Sequence, residues 1–170
     1  MSHSDIELRL ARSSDARSIA VMSRDLIETG LGWSYPPHRI VALVSDRDTV
    51  SLVARSAGAL AGFGIMSFGE EHSHLVLLAV RPAQRRRGVA RRVLDWLLES
   101  ALTAGIAAVH VELRAHNRDA YAFYRAMGFT ETLRLAGYYR GRETAIRMLR
   151  VLRTTPATPV YWRPPTLDAR

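Results

Sequence analysis

Cysteine is missing from the 170 residues, which excludes disulfides and thiolate chemistry. Lysine is missing as well, so all 24 basic residues are arginine, and asparagine and glutamine occur once each, as Asn117 and Gln84. A GC-rich genome accounts for that bias more simply than a demand for guanidinium groups. No apolar run reaches the length that spans a bilayer, and the opening MSHSDIELRL lacks the basic-then-apolar pattern of a secretion signal. The expectation is a cytoplasmic protein with no membrane partner.

What is present suffices for a packed core. With 48% hydrophobic residues, the chain has the make-up of a single globular domain rather than a disordered one. A net charge of +8 draws anions: phosphates, acidic proteins or nucleic acid. Nucleic acid is disfavoured, because the arginines are scattered and form no basic face interleaved with aromatics. Their one dense cluster, residues 85–92, suits a small phosphate ligand.

Residues 6–10 alternate as a half-buried strand does. Ser13, Ser14 and Asp15 are cap-type residues ahead of a helix carrying Ile19, Ala20, Met22, Leu26 and Ile27, closed by Gly30. A loop with Trp33 and Tyr35 leads to a short helix from Pro37 to about Val44, and residues 46–48 turn. Residues 49–55 and 60–68 read as hairpin strands around Ala57-Gly58-Ala59. Residues 70–74 read as a polar loop feeding a strand over 75–80. After a basic turn, Gly88 opens a helix whose apolar stripe is Val89, Val93, Leu94, Trp96, Leu97, Leu98 and Leu102, ended by Gly105. Residues 106–113 form a strand with Val109, Val111 and Leu113 on one face and His110, Glu112 and Arg114 on the other. A helix over 117–127, capped by Gly128, precedes strands 129–135 and 144–152. The order β-α-α-β-β-β-α-β-α-β-β predicts an α/β domain over residues 1–152, with a central mixed sheet and helices on both faces. Residues 153–170 hold four of the seven prolines and read as an extended arm.

Two stretches carry chemistry-bearing patterns. In the first, residues 75–98, a strand ends and a basic turn opens a helix. The leading N–H groups of a helix lack intrahelical partners, and its dipole favours an anion. Gly88 allows close backbone approach, Ala90 keeps the helix start uncluttered, and Arg86, Arg87 and Arg91 offer charge-assisted hydrogen bonds. By itself, a basic turn with one glycine describes a solvated helix start better than a phosphate site. The second stretch, residues 111–129, again turns a strand into a helix. It holds the single asparagine, Asn117, where a side chain caps the helix and can also reach a ligand. Tyr124 lies two turns further on, where core packing is the plain alternative.

Together the two stretches resemble the GCN5-related N-acetyltransferase (GNAT) superfamily. Arg85-x-x-Gly88-x-Ala90 matches its acyl-CoA motif, Arg/Gln-x-x-Gly-x-Gly/Ala. Asn117, Ala120, Tyr124, Gly128 and Phe129 match its later helix pattern, Asn-x-x-Ala-x-x-x-Tyr followed by Gly-Phe. Glu112, Asn117, Tyr124 and the pair Tyr138-Tyr139 are similar to the bacterial ribosomal-protein-alanine N-acetyltransferases within it. The match runs from Leu75 to about Met148. Before Leu60 only the order of elements agrees, and beyond Arg153 nothing does.

The resemblance implies a GNAT fold with a splayed sheet, the strand of Val80 parting from the strand of Glu112 around the pantetheine arm of CoA. Backbone groups of Leu78, Ala79 and Val80 would hold the arm and the thioester. The turn made by Arg85, Arg86, Arg87, Gly88, Val89, Ala90 and Arg91 would hold the pyrophosphate, and Asn117 and Tyr124 would complete the cofactor site. It further implies acetyl-CoA as cosubstrate, no metal, and acetyl transfer to a primary amine. The expected acceptor is a protein or peptide N-terminal α-amine; the alternatives are a small-molecule amine or a non-catalytic acyl-CoA-binding module. An amine attacks only as the free base, so a nearby carboxylate can take its proton. Glu112 is the candidate base, and its alternative is an ion pair with Arg114 or Arg134. Tyr124 resembles the family's tyrosine acid, which protonates the departing thiolate, and an N–H near residues 78–80 can serve the developing oxyanion.

Other residues compete for roles. Glu70, Glu71, His72 and His74 are the rivals to Glu112 as base. His72 and His74 alternate on one face but find no further ligand cluster in the sequence, so they read as solvated loop histidines rather than a metal site. His110 and His116 read as structural or capping. Trp33, Tyr35, Tyr138 and Tyr139 can wall the acceptor pocket. Tyr161 and Trp162 in the arm leave docking on the same domain, or on a second subunit of a homodimer, open.

Overall fold

The computed structural model describes residues 6–154; Tyr161, Trp162 and the rest of the proline-rich arm beyond residue 154 lie outside the described residues. The elements are β1 (Glu7–Leu10), α1 (Ala16–Leu26), α2 (Pro37–Ser45), β2 (Thr49–Ser56), β3 (Ala59–Phe68), β4 (His72–Val80), α3 (Val89–Thr103), β5 (Ala108–Arg114), α4 (Arg118–Ala126), β6 (Thr130–Tyr139) and β7 (Glu143–Val151). They form one seven-stranded sheet in the order β1-β2-β3-β4-β5-β7-β6. Every neighbouring pair is antiparallel except β4 and β5, which run parallel. A parallel pair needs a crossover, and α3 supplies it. Helices cover both faces. Ile19 of α1 and Ile40 of α2 pack with Val53, Phe63, Ile65 and Leu77 on one side. Val93, Leu94 and Leu97 of α3 and Tyr124 of α4 pack with Leu75, Val111 and Phe129 on the other.

The feature that positions the site is an irregularity in β4. Met66 of β3 faces Leu75 and Ile65 faces Leu77, so Val76 is an extra residue on β4. Strand side chains alternate with a period of two, and one inserted residue reverses the alternation and bends the strand. Leu75 accordingly packs against the α3 side and Leu77 against the α1 side, although only two positions separate them. Pairing of β4 with β5 covers only His72↔Ala108, Ser73↔Val109 and His74↔His110. Beyond the bulge the strands part, and among the described residues no strand pairs with residues 75–80 on the edge facing β5.

Helix α3 lies close against β3 at Gly64. A Cβ there would sit 2.7 Å from Cγ1 of Val93 and 2.9 Å from Cδ1 of Leu97. Gly64→Val is therefore expected to destabilise the fold by about 1–3 kcal/mol, through overpacking of a helix that cannot retreat without opening the core. Urea unfolding of the two proteins checks this.

Three expectations change. His72, Ser73 and His74 belong to β4 rather than to a loop, because β3 and β5 offer hydrogen-bonding edges on both sides that outweigh the polar composition. Trp96 and Leu102 of α3 are exposed, since the buried stripe follows Val89, Val93, Leu94, Leu97, Leu98 and Ala101 around the helix. Strand β6 continues through Tyr139, paired with Glu143, where the expected strand ended at residue 135. Among the described residues, no helix is long and apolar enough to cross a membrane.

Candidate active site

The parting of β4 and β5 opens a cleft of about 780 Å³. From the side of α3 and α4 it is lined by Leu78, Val80, Arg85, Ala90, Asn117 and Tyr124, among others. Ile27, Tyr35, His74, Glu112, Arg114, Tyr138 and Tyr139 line it from the other face.

The basic turn sits at one mouth. Gly88 is the N-cap of α3, with φ at 74° in the left-handed region, and a Cβ there would meet nothing within 4 Å. The backbone conformation, not crowding, asks for glycine. Within α3 the amide of Arg92 is the one that bonds back to the Gly88 carbonyl, at 3.0 Å. The N–H groups of Gly88, Val89 and Ala90 have no carbonyl partner among the described residues, which is the arrangement that receives an anion. The Arg85 guanidinium folds back, its Nε donating to the Val80 carbonyl at 3.2 Å. Arg86, Arg87, Gly88 and Arg91 are exposed at the mouth and do not line the cleft, while Val89 is buried in the core.

Helix α4 sets the next two residues. Asn117 caps it, its Oδ1 accepting from the Ala120 amide at 3.1 Å, so the side-chain NH₂ is left for other partners. Tyr124 is buried edge-on between Phe123 and Phe129, with ring centroids 5.3 and 5.5 Å away. Burial first, and the neighbouring Tyr139 second, push its phenol pKa far up, so the hydroxyl keeps its proton.

On the opposite wall, the alternation of β5 aims His110, Glu112 and Arg114 away from α3. Glu112 is nearly enclosed, and both oxygens are engaged. His74 Nε2 donates to Oε2 at 2.8 Å, and Arg147 of β7 donates to Oε1 through Nε at 3.1 Å and a terminal NH₂ at 2.9 Å. The imidazoles of His74 and His110 stack 4.5 Å apart, nearly parallel. The His74 hydrogen bond, outweighing the opposing effect of burial, holds the Glu112 carboxyl down at about 2. Burial, and then His74, lower the pKa of His110. His74, His110 and Glu112 are thus brought together, because His74 lies in β4 and not in a loop.

Two buried or bridging groups shape the remaining wall. Buried Glu28 accepts from Ser23 Oγ and from the amides of Ser34 and Tyr35, at 2.9, 2.6 and 3.2 Å, and so folds residues 28–35 into a compact loop that presents Tyr35. Arg114 bonds both oxygens of Glu143 at 2.6 Å and the Thr29 carbonyl at 2.6 Å, tying that loop to β5 and β7. Trp33 does not join the cleft: its indole N–H donates to Ala20 of α1, and the Arg24 guanidinium lies over its ring.

Residues 20–129 match the Acetyltransferase (GNAT) family. The chain belongs to that family. One GNAT relative, the [ribosomal protein bS18]-alanine N-acetyltransferase of Escherichia coli K12, is 35% identical over 94 residues, 54% of this chain and 64% of that protein, so the match spans just under two thirds of the relative's length. The N-terminal acetyltransferase B complex catalytic subunit naa20 of Schizosaccharomyces pombe is 31% identical over 103 residues, 61% of this chain and 55% of that protein. The crystal structure of Arabidopsis thaliana NAA60 in complex with acetyl-CoA shares the fold, with a TM-score of 0.76 at 21% identity over 87% of this chain and 99% of that one.

Of the residues expected from the GNAT motifs, Leu78, Ala79, Val80, Arg85, Ala90, Glu112, Asn117 and Tyr124 all line the one cleft. Glu112 does not pair with Arg114 or Arg134, which are taken by Glu143 and Glu131. Glu70 and Glu71 stand in the β3–β4 turn, outside the cleft lining and before the point where the strands part. His74 and Arg147 were not expected to meet Glu112. The His-x-His alternation carried a signal for the first; nothing in the sequence pointed to the second.

Proposed function

We propose that the protein transfers the acetyl group of acetyl-CoA to a primary amine, with the N-terminal α-amine of a protein or peptide as the acceptor. The observation that carries this reading is the cleft between β4 and β5, which has open helix amides at one mouth and an enclosed carboxylate on the opposite wall. Bound there, acetyl-CoA supplies an activated thioester carbonyl. The amides that open α3 and the arginines beside them suit its phosphates. The unpaired edge of residues 78–80 suits the pantetheine amides and offers an N–H to the carbonyl oxygen. The free NH₂ of Asn117 and the Tyr124 hydroxyl border the same space, and Tyr124 has the proton a departing thiolate needs. Glu112 sets a fixed negative charge on the acceptor side, where an ammonium ion would approach. The names of the two relatives favour an α-amine.

A second reading, a small-molecule amine, draws on the far wall. The Arg140 guanidinium rests against Gly32, and Arg114 ties the same loop to β7, so the α1–α2 loop meets the β6–β7 hairpin over that side. One experiment covers both. Acetyl-CoA is expected to raise the melting temperature, since it binds the folded state alone. Thiol release should then follow with peptides bearing a free α-amine and fall away when that amine is blocked. Turnover of polyamines or amino acids but not of peptides selects the second reading; no thermal shift with acetyl-CoA removes both.

A further inference from the structure

We propose that His74 is the group that takes the proton of the acceptor amine, and that Glu112 acts through it as a positioning residue; this rests on the acetyltransferase reading above. Glu112 stands where a base is needed, but it is poorly equipped to be one. Both its oxygens already accept strong hydrogen bonds from His74 and Arg147. A carboxyl held at about 2 takes protons from an ammonium ion with very low efficiency, because a useful base titrates near the working pH.

The imidazole beside it is open to the cleft. His74 lines the cleft, whereas His110, stacked on its ring, does not. Donation from Nε2–H to Glu112 fixes the tautomer and leaves Nδ1 as the bare acceptor. Among the described residues the His74 ring makes no other hydrogen bond. Stacking on His110 holds its plane, and the carboxylate, itself anchored by Arg147, stabilises the imidazolium once the proton arrives. This is the division of labour of a base oriented by a buried acid.

The titratable and charged groups around this imidazole come from five elements. They are His72 on β4, His110, Glu112 and Arg114 on β5, Arg147 on β7, Glu28 and Tyr35 on the α1–α2 loop, and Tyr138 and Tyr139 on β6. The protons balance as follows. One ammonium proton passes to His74 Nδ1 and on to solvent. The freed nitrogen lone pair forms the C–N bond as the C–S bond breaks, and the nitrogen sheds its second proton to solvent. Tyr124 gives its hydroxyl proton to the sulfur, and its phenolate recovers one from water.

The test is the pH dependence of kcat/KM, with acetyl-CoA and an alanine-initiated peptide as acceptor. The wild type is expected to show an ascending limb in the range where imidazoles titrate, roughly pH 5–8. His74→Gln keeps an amide N–H for Glu112 but has nothing to take a proton. It should lower kcat about 100-fold, erase that limb and leave the acetyl-CoA thermal shift intact. Glu112→Gln should keep the limb and move it to lower pH, because the imidazolium loses its counter-charge. His110→Gln should keep the limb in place. The proposal is overturned if His74→Gln retains the limb with kcat within about threefold of wild type, or if the limb disappears with His110→Gln instead. Should acetyl-CoA bind while the wild type releases no thiol with any amine, the acetyltransferase reading itself fails and takes the proposal with it.

Discussion

Tyr124→Phe is expected to lower kcat about 100-fold while CoA affinity stays near that of the wild type. The phenyl ring fits the space between Phe123 and Phe129, so packing is kept and only the hydroxyl is lost. Burial holds that hydroxyl in its protonated form, which makes it a donor to an anionic sulfur and rules it out as a base near neutral pH. Steady-state thiol release paired with calorimetric CoA binding separates the two effects. Unchanged kcat would mean that water protonates the thiolate and that Tyr124 only packs. A parallel loss of CoA affinity would mean that its hydroxyl binds the cofactor.

Glu112→Gln is expected to cost a comparable factor, about 100-fold in kcat, with little change in acetyl-CoA binding. Glutamine keeps one acceptor oxygen, enough for Arg147 or His74 but not both, places an NH₂ donor at the other position and removes the charge that holds the two partners. The same substitution should alter the response of stability to acid. The Glu112 carboxyl lies near 2 in the folded protein against 4.5 ordinarily. The unfolded chain therefore takes up this proton first as pH falls. The contribution to stability is complete above about pH 4.5 and is lost as pH drops toward 2. Across that window the wild type should lose stability more steeply than Glu112→Gln, and urea midpoints at pH 5, 4 and 3 measure the difference. Equal slopes would show that Glu112 is not held by His74 and Arg147 in solution.

The side proposed for the cofactor was legible because it is local. Gly88 with φ at 74°, the open amides behind it and the Asn117 cap each arise within a few residues of chain, so a short pattern contains the whole structural cause. The alternation in β5 likewise put His110, Glu112 and Arg114 on one face before any partner was known. The side proposed for the acceptor was not legible, because its contacts join positions far apart in sequence. Arg147 reaches Glu112 across 35 residues, and Arg114 reaches Thr29 across 85. Glu28, unremarkable in the sequence, is buried and folds its own loop. Trp33, an apparent pocket aromatic, lies instead on α1, where its indole N–H finds the Ala20 carbonyl.

Sequence by itself determined the α/β order of elements, the glycine and cap residues that open α3 and α4, and the placing of Glu112 and Tyr124 in motifs resembling those of GNAT enzymes. These follow from short-range periodicity and backbone preference, which a linear pattern records. Tertiary structure alone decided that β4 starts at His72, that an extra residue at Val76 turns the strand and opens the cleft, and that His74 comes to lie 2.8 Å from Glu112. The physical reason is that strand limits, bulges and side-chain partners are set by the neighbouring strand's hydrogen-bonding edge. For β4 the neighbours are β3, reached through a short turn, and β5, which arrives only after the whole of α3 has crossed the sheet.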